Sequence, residues 1–203
     1  MATARARNYA GQSADERRLA RRARLIEGAI RAYGELGYRN TTVKAVCDAA
    51  GLTERYFYES FTNSEALLVA AFETVSRRVF DRLDQVRKDH RGPAEECGHA
   101  VLRSYYQMLK DDPDGARLFV IEIARVGPAV DAVWATLSRE YGDLFARMVA
   151  PDGDAKPRAG DLVRAGVVGG VVQIAKEWIR SGYARSVDAV AADALKICRV
   201  LAG

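Results

Sequence analysis

Residues 42–61 read TVKAVCDAAGLTERYFYESF, and the run divides into two short helices around a single glycine. Val43, Val46, Cys47 and Ala50 recur at the i, i+3, i+4, i+7 spacing of one buried helical face. Thr42 stands where an N-cap oxygen is wanted, and Gly51 supplies the left-handed backbone of a sharp turn. Thr53 opens the second helix, Leu52 before it can staple onto Phe57, and Phe57 and Phe61, four apart, make its core face. Two helices joined this way predict a helix-turn-helix, the unit that seats its second helix in the major groove of DNA.

At 100° per residue, Arg55 and Glu59 project opposite Phe57, with Tyr56 and Tyr58 flanking them. That face carries groove-reading chemistry. Arginine can donate two parallel bonds to guanine, glutamate can accept from the cytosine amino group, and tyrosines can reach phosphates or a thymine methyl. The competing reading is plainer: Arg55 and Glu59 are spaced to form an i, i+4 surface pair.

The residues upstream favour the first reading. Ser13 with Glu16 makes a capping box, and Leu19, Ala23, Ile26, Ile30, Tyr33 and Gly37 follow one stripe, predicting a helix over 14–36. Arg17, Arg21, Arg24 and Arg31 fall on its other face, with Arg18 and Arg22 at the flank. Residues 1–32 hold eight arginines against three acids, a net of +5, whereas the whole chain is +4, so the other 171 residues sum to −1. Positive charge thus gathers beside the groove reader, as a polyanion-binding surface requires, and Arg17, Arg21 and Arg24 are candidate phosphate contacts.

Residues 30–68, IRAYGELGYRNTTVKAVCDAAGLTERYFYESFTNSEALL, resemble the TetR family of bacterial transcriptional regulators. A glycine-aromatic pair, the threonine before the second helix, Ala-Ala-Gly and the Phe-Tyr-x-x-Phe ending all fall at the family's spacings. The resemblance implies DNA contacts by Thr42 and Tyr58 to phosphate and by Thr53, Arg55 and Tyr56 on the recognition helix. One place departs. Many members carry a phosphate-contacting lysine at the start of the fourth helix, where this chain has Ser64, which can bond a phosphate but adds no charge.

Composition agrees with this class. At 203 residues and 49% apolar content the chain can hold a small reading head at 1–62 and a larger core at 63–203, and no run of eighteen uncharged apolar residues is present. The start, MATARARNYAGQSA, lacks the apolar segment of a secretory signal and reads as a basic arm. Cys47, Cys97 and Cys198, odd in number and far apart, give no disulfide framework and fit a reducing cytoplasm.

The rest predicts an all-α chain of about nine helices. A helix from Asn63 to about Lys88 links head to core, another spans about 94–110, and Asp111-Asp112-Pro113-Asp114-Gly115 reads as a loop that matches no calcium-binding pattern. Residues 116–126, ARLFVIEIARV, are apolar almost all round, so Glu122 is anomalous. It is either a polar anchor in a ligand cavity, or a surface carboxylate, for instance paired with Arg125. Tyr105, Met108, Phe119, Trp134, Tyr141, Gln173 and Trp178 complete the candidate ligand-binding set, whose apolar character predicts a hydrophobic or aromatic small-molecule effector.

Gly166, Gly169 and Gly170 interrupt the eighth helix at a cost of about 1 kcal/mol each, which argues for close approach of another helix. Val187, Ala191, Ala194, Leu195 and Cys198 give the ninth a small-residue stripe. In the TetR family the last two long helices pack with those of a second subunit, so these residues are expected at a homodimer interface; a monomeric core is the alternative. What the resemblance implies as a whole is a repressor of a palindromic double-stranded DNA operator, released by its effector. No cofactor or metal is expected: Glu95, Cys97 and His99 are too few for a zinc site, and neither a nucleophile-and-base set nor a phosphate loop supports an all-helical enzyme. A thiol-based redox-responsive regulator acting through Cys97 is the remaining variant.

Overall fold

The computed structural model describes residues 13–123, 126–150 and 159–202; the basic arm at 1–12 and Arg125 lie outside the described residues. Nine α-helices and no strand occur among the described residues: α1 Ala14–Leu36, α2 Val43–Ala50, α3 Glu54–Ser60, α4 Ser64–Asp89, α5 Ala94–Asp111, α6 Pro113–Arg117, α7 Pro128–Val149, α8 Asp161–Arg180 and α9 Val187–Cys198. None is long and apolar enough to cross a membrane.

The start of α1 forms for local reasons. The Ser13 side chain accepts from the Glu16 N–H and the Glu16 side chain accepts from the Ser13 N–H, which closes the capping box. Residues 13–20 are all exposed, Leu19 at 62%, so the expected stripe does not begin there; Leu19 and Ala23 face solvent, and burial starts at Leu25 and continues through Ala29, Ile30, Ala32 and Tyr33. The reason is reach: α2, α3, α4 and α6 cover only the later turns of α1. At Gly34, a Cβ would stand 2.5 Å from the Asp114 Cα, so α1 and α6 meet backbone to backbone.

The acidic run read as a loop is instead helical. Asp112 caps α6 by accepting the Gly115 N–H at 3.0 Å, and Pro113 takes the first helical position, where its missing N–H costs nothing. The chain then widens into a π-helical turn, Leu118–Glu122, before α7. Such turns are rare and recur at functional sites. Helices α4, α5, α7 and α8 enclose an aromatic core in which Phe72 faces Phe119 at 5.9 Å and Trp134 at 6.4 Å, and Phe119 faces Tyr141 at 6.1 Å. Pairs at these separations add to the area they bury.

Candidate nucleic-acid interface and core cavity

The turn between α2 and α3 follows from Gly51, whose φ of 63° is left-handed. Thr42 caps α2 by accepting the Ala45 N–H at 3.1 Å; Thr53 begins α3 but its side chain makes no cap bond. Phe57 is buried at 1% and Phe61 at 5%, which turns Arg55, Tyr58 and Glu59 to solvent, Tyr58 at 65%. The plainer reading of Arg55 is realised: its Nε donates to Glu59 Oε1 at 2.9 Å. A guanidinium so paired still carries donors on its outer edge. Ser64 is half-buried in the first turn of α4, which Asn63 caps through the Ala66 N–H at 2.8 Å.

The helix-one arginines divide into two sets. Arg24 donates to the carbonyls of Ala50 at 2.9 Å and Gly51 at 3.0 Å, Arg31 donates to that of Ala49, and Arg22 donates to that of Ser60 at 2.9 Å while lying 4.0 Å over the Phe61 ring. These are the carbonyl ends of α2 and α3, which have no intrahelical partner and carry partial negative charge. Arg24, expected at a phosphate, is therefore engaged with α2. Arg21 lies 4.6 Å over the ring of Tyr56 and so braces a recognition-helix side chain, and Arg17 is exposed on the projecting turns. The clamp was not legible beforehand, because it needs the angle at which α1 crosses the turn.

Of the eight candidate ligand residues, four come together. Tyr105, Phe119, Trp134 and Tyr141, joined by Phe145, Val168, Val171 and Val172, line a void of only about 10 Å³. The other four stand elsewhere. Met108 is half-buried in the core but off the void. Gln173 is exposed and donates to Glu177 at 2.8 Å. Trp178 anchors the α8–α9 turn, its Nε1 donating to the Arg185 carbonyl at 2.9 Å and its ring standing 4.8 Å from that of Tyr183.

Glu122 is the instructive correction. Its carboxylate lies outside the void and accepts the backbone N–H of Tyr38 at 2.8 Å, in the 3-10 turn Tyr38–Asn40 that leads into α2. Gly37, at φ 81°, lets the carboxylate sit against that turn: a Cβ there would meet Glu122 Oε2 at 3.3 Å. One π-helical turn thus has Phe119 on the void and Glu122 on the head.

The expected interface residues also divide. Val187, Ala191, Ala194, Leu195 and Cys198 are buried within the chain itself, where α9 packs along α5. Their small volumes serve that packing. On α8 the outcome is different: the space where a Cβ would stand on Gly166 or Gly169 is open, and Leu162 at 89% and Val163 at 44% are exposed, as is Val200 at 61% in the 3-10 turn after α9. Gly170 instead faces Ile197 of α9, at 3.4 Å.

All three thiols are buried. Burial pushes each upward, Cys198 to about 12, so the thiol form persists near neutral pH and the redox reading through Cys97 loses its chemical basis.

Residues 25–71, which run from the buried half of α1 through the helix-turn-helix into α4, match the family described as bacterial regulatory proteins, tetR family. Two curated relatives come from Bacillus subtilis (strain 168). The uncharacterized HTH-type transcriptional regulator YerO is 24% identical over 103 residues, covering 50% of this chain and 36% of its own. The fatty acid metabolism regulator protein is 23% identical over 99 residues, covering 49% and 50%. The match thus spans half or less of either relative's length. Among solved structures, the Bacillus subtilis transcriptional regulator FadR in complex with stearoyl-CoA superposes with a TM-score of 0.72 at 18% identity over 87% of this chain and 96% of that one, a likeness of fold. The family pattern thus sits on the bracketed helix-turn-helix, and the remaining helices share the fold of that solved structure.

Proposed function

We propose that the chain is a cytoplasmic repressor that binds a palindromic operator as a dimer and is released by an apolar effector entering the core beside Phe119. Arg55 and Glu59 read base edges; Thr42, Thr53, Tyr56, Tyr58 and Ser64 contact backbone or bases, with Arg17 and Arg21 adding charge from α1. Two heads set for adjacent groove turns need half-sites about 34–36 Å apart. The exposed face of α8, with Leu162, Gly166 and Gly169, and Val200 in the turn after α9 supply the subunit contact.

The observation that carries this reading is the π-helical turn, which touches the void through Phe119 and the head through Glu122. A ligand needs only to prefer the arrangement in which the heads are misplaced. A void of about 10 Å³ holds at most one water, so any effector must part the helices around it, and α4 and the π turn both border the head. Similarity to a fatty acid metabolism regulator and to a fold seen with stearoyl-CoA supports an acyl chain as the apolar part. The test takes fragments recovered in a genomic binding map and titrates stearoyl-CoA into the complexes. Release together with a raised Tm of the free protein is expected; binding to no particular sequence, or an operator complex indifferent to every acyl-CoA and apolar compound tried, overturns the reading.

A further inference from the structure

The aromatic core contains polar atoms that its own fold leaves unsatisfied. Ser76 on α4 is the one fully buried polar or charged residue among those described, at 0% exposure, and its hydroxyl has no hydrogen-bond partner in the protein. The hydroxyl of Tyr105, on α5 across the core, is also buried without a partner, and Tyr105 lines the void. Tyr141 bridges the same region, its hydroxyl donating to the Ser76 carbonyl at 2.8 Å. A buried hydroxyl left unmatched costs about 1–3 kcal/mol, a large share of the stability of a chain this size.

Charge is absent from the lining, which consists of Tyr105, Phe119, Trp134, Tyr141, Phe145 and three valines. Burial raises the Tyr105 and Tyr141 phenols well above their ordinary range, so both remain neutral donors. A carboxylate entering here would exchange water for two hydroxyls and no cation, which is unfavourable. A pure hydrocarbon would leave the hydroxyls as they are.

We infer that the part of the effector that enters this core is uncharged and carries a hydrogen-bonding oxygen, a hydroxyl or a carbonyl, which engages Tyr105 and Ser76. This rests on the effector reading above and narrows its chemistry: a thioester carbonyl, a ketone, an ester or an alcohol qualifies, whereas a free carboxylate does not. Because Ser76 lies on α4, which runs directly from the recognition unit, the oxygen would be held on the helix that any release of DNA has to move.

Three probes of similar size separate the possibilities: phenol, toluene and benzoate, each titrated at millimolar concentration while Tm is followed in the full chain. Phenol is expected to raise Tm most, toluene less and benzoate not at all. Tyr105→Phe is expected to melt at or above the wild type without probe, since it removes the unmatched hydroxyl, and to weaken phenol about 3- to 10-fold while leaving toluene alone. Ser76→Ala is a second variant, expected to shift phenol in the same sense. A tyrosine that served only packing would show no selectivity between probes. Equal responses to phenol and toluene, a response to benzoate, or a phenol advantage that survives Tyr105→Phe would each overturn the inference while the effector reading stands. Silence from all three probes, joined by indifference to acyl-CoA, would remove both.

Discussion

The head and the core are held together by different physics. Around the recognition unit the ties are polar and directional: Arg22, Arg24 and Arg31 on carbonyl ends, Glu122 on the Tyr38 amide, Asn63 on the first turn of α4. Around the void the ties are aromatic contacts between rings about 6 Å apart, with few hydrogen bonds. Directional bonds fix one orientation and fail over a short displacement, whereas ring packing tolerates sliding and charges mainly for lost contact. A sensor region that repacks and a reader that must keep its shape would divide the labour in this way.

The sharpest way to break the contrast is to attack the head where it is apolar. Phe57→Ala removes the buried anchor of α3 and should cost about 3–5 kcal/mol, abolishing operator binding while most helical signal in circular dichroism persists. Should the whole chain melt as one unit instead, head and core are a single cooperative body and the comparison loses its meaning.

Next in size are two arginines with opposite duties. Arg24→Met keeps the stem but removes the donors to Ala50 and Gly51, and should cost about 1.5–3 kcal/mol of head stability, weakening every DNA sequence without changing the dependence of affinity on salt. Arg55→Ala should cost about 1–3 kcal/mol per half-site and relax preference at one symmetric base pair. Titrations at several salt concentrations tell them apart; a salt slope reduced by about one charge in the Arg24 variant would place it on a phosphate after all.

Smaller effects test the joints. Gly169→Leu has open space in the isolated chain, so it should fold normally while weakening self-association about tenfold in sedimentation equilibrium; unchanged association moves the subunit contact off α8. Glu122→Ala should lower operator affinity about 3- to 10-fold through the lost bond to Tyr38, and Glu122→Gln, which retains an acceptor, should restore most of it. If the glutamine variant is as weak as the alanine one, the charge rather than the hydrogen bond holds the turn.

What could be read from the amino acids alone follows the same division. The turn at Gly51, the caps at Ser13, Thr42 and Asn63 and the burial of Phe57 and Phe61 are local events, set within four residues of one another, and the sequence carries them in full. The all-helical architecture follows from the same periodicity. The cavity was half legible: an aromatic residue on a helix announces burial, but the helix's rotation decides whether it meets Phe72, as Trp134 does, or Tyr183, as Trp178 does. Small residues on α9 announced close packing but not its partner, which is α5 of the same chain. Glu122 stood out as an acid on an apolar segment, open to a cavity or a surface role, and its partner lay 84 positions away, beyond any local pattern.

The meeting of Gly34 with Asp114 bears on how fast and how faithfully the two regions communicate. Side chains act as springs, since a rotamer can hop and absorb a displacement of an ångström before anything beyond it moves. Where backbone touches backbone, as under Gly34, no such spring exists, and a shift of α6 is passed to α1 with almost no slack. Any larger residue at 34 would drive its Cβ into the Asp114 backbone, so the two helices would have to part and the bearing itself would be lost.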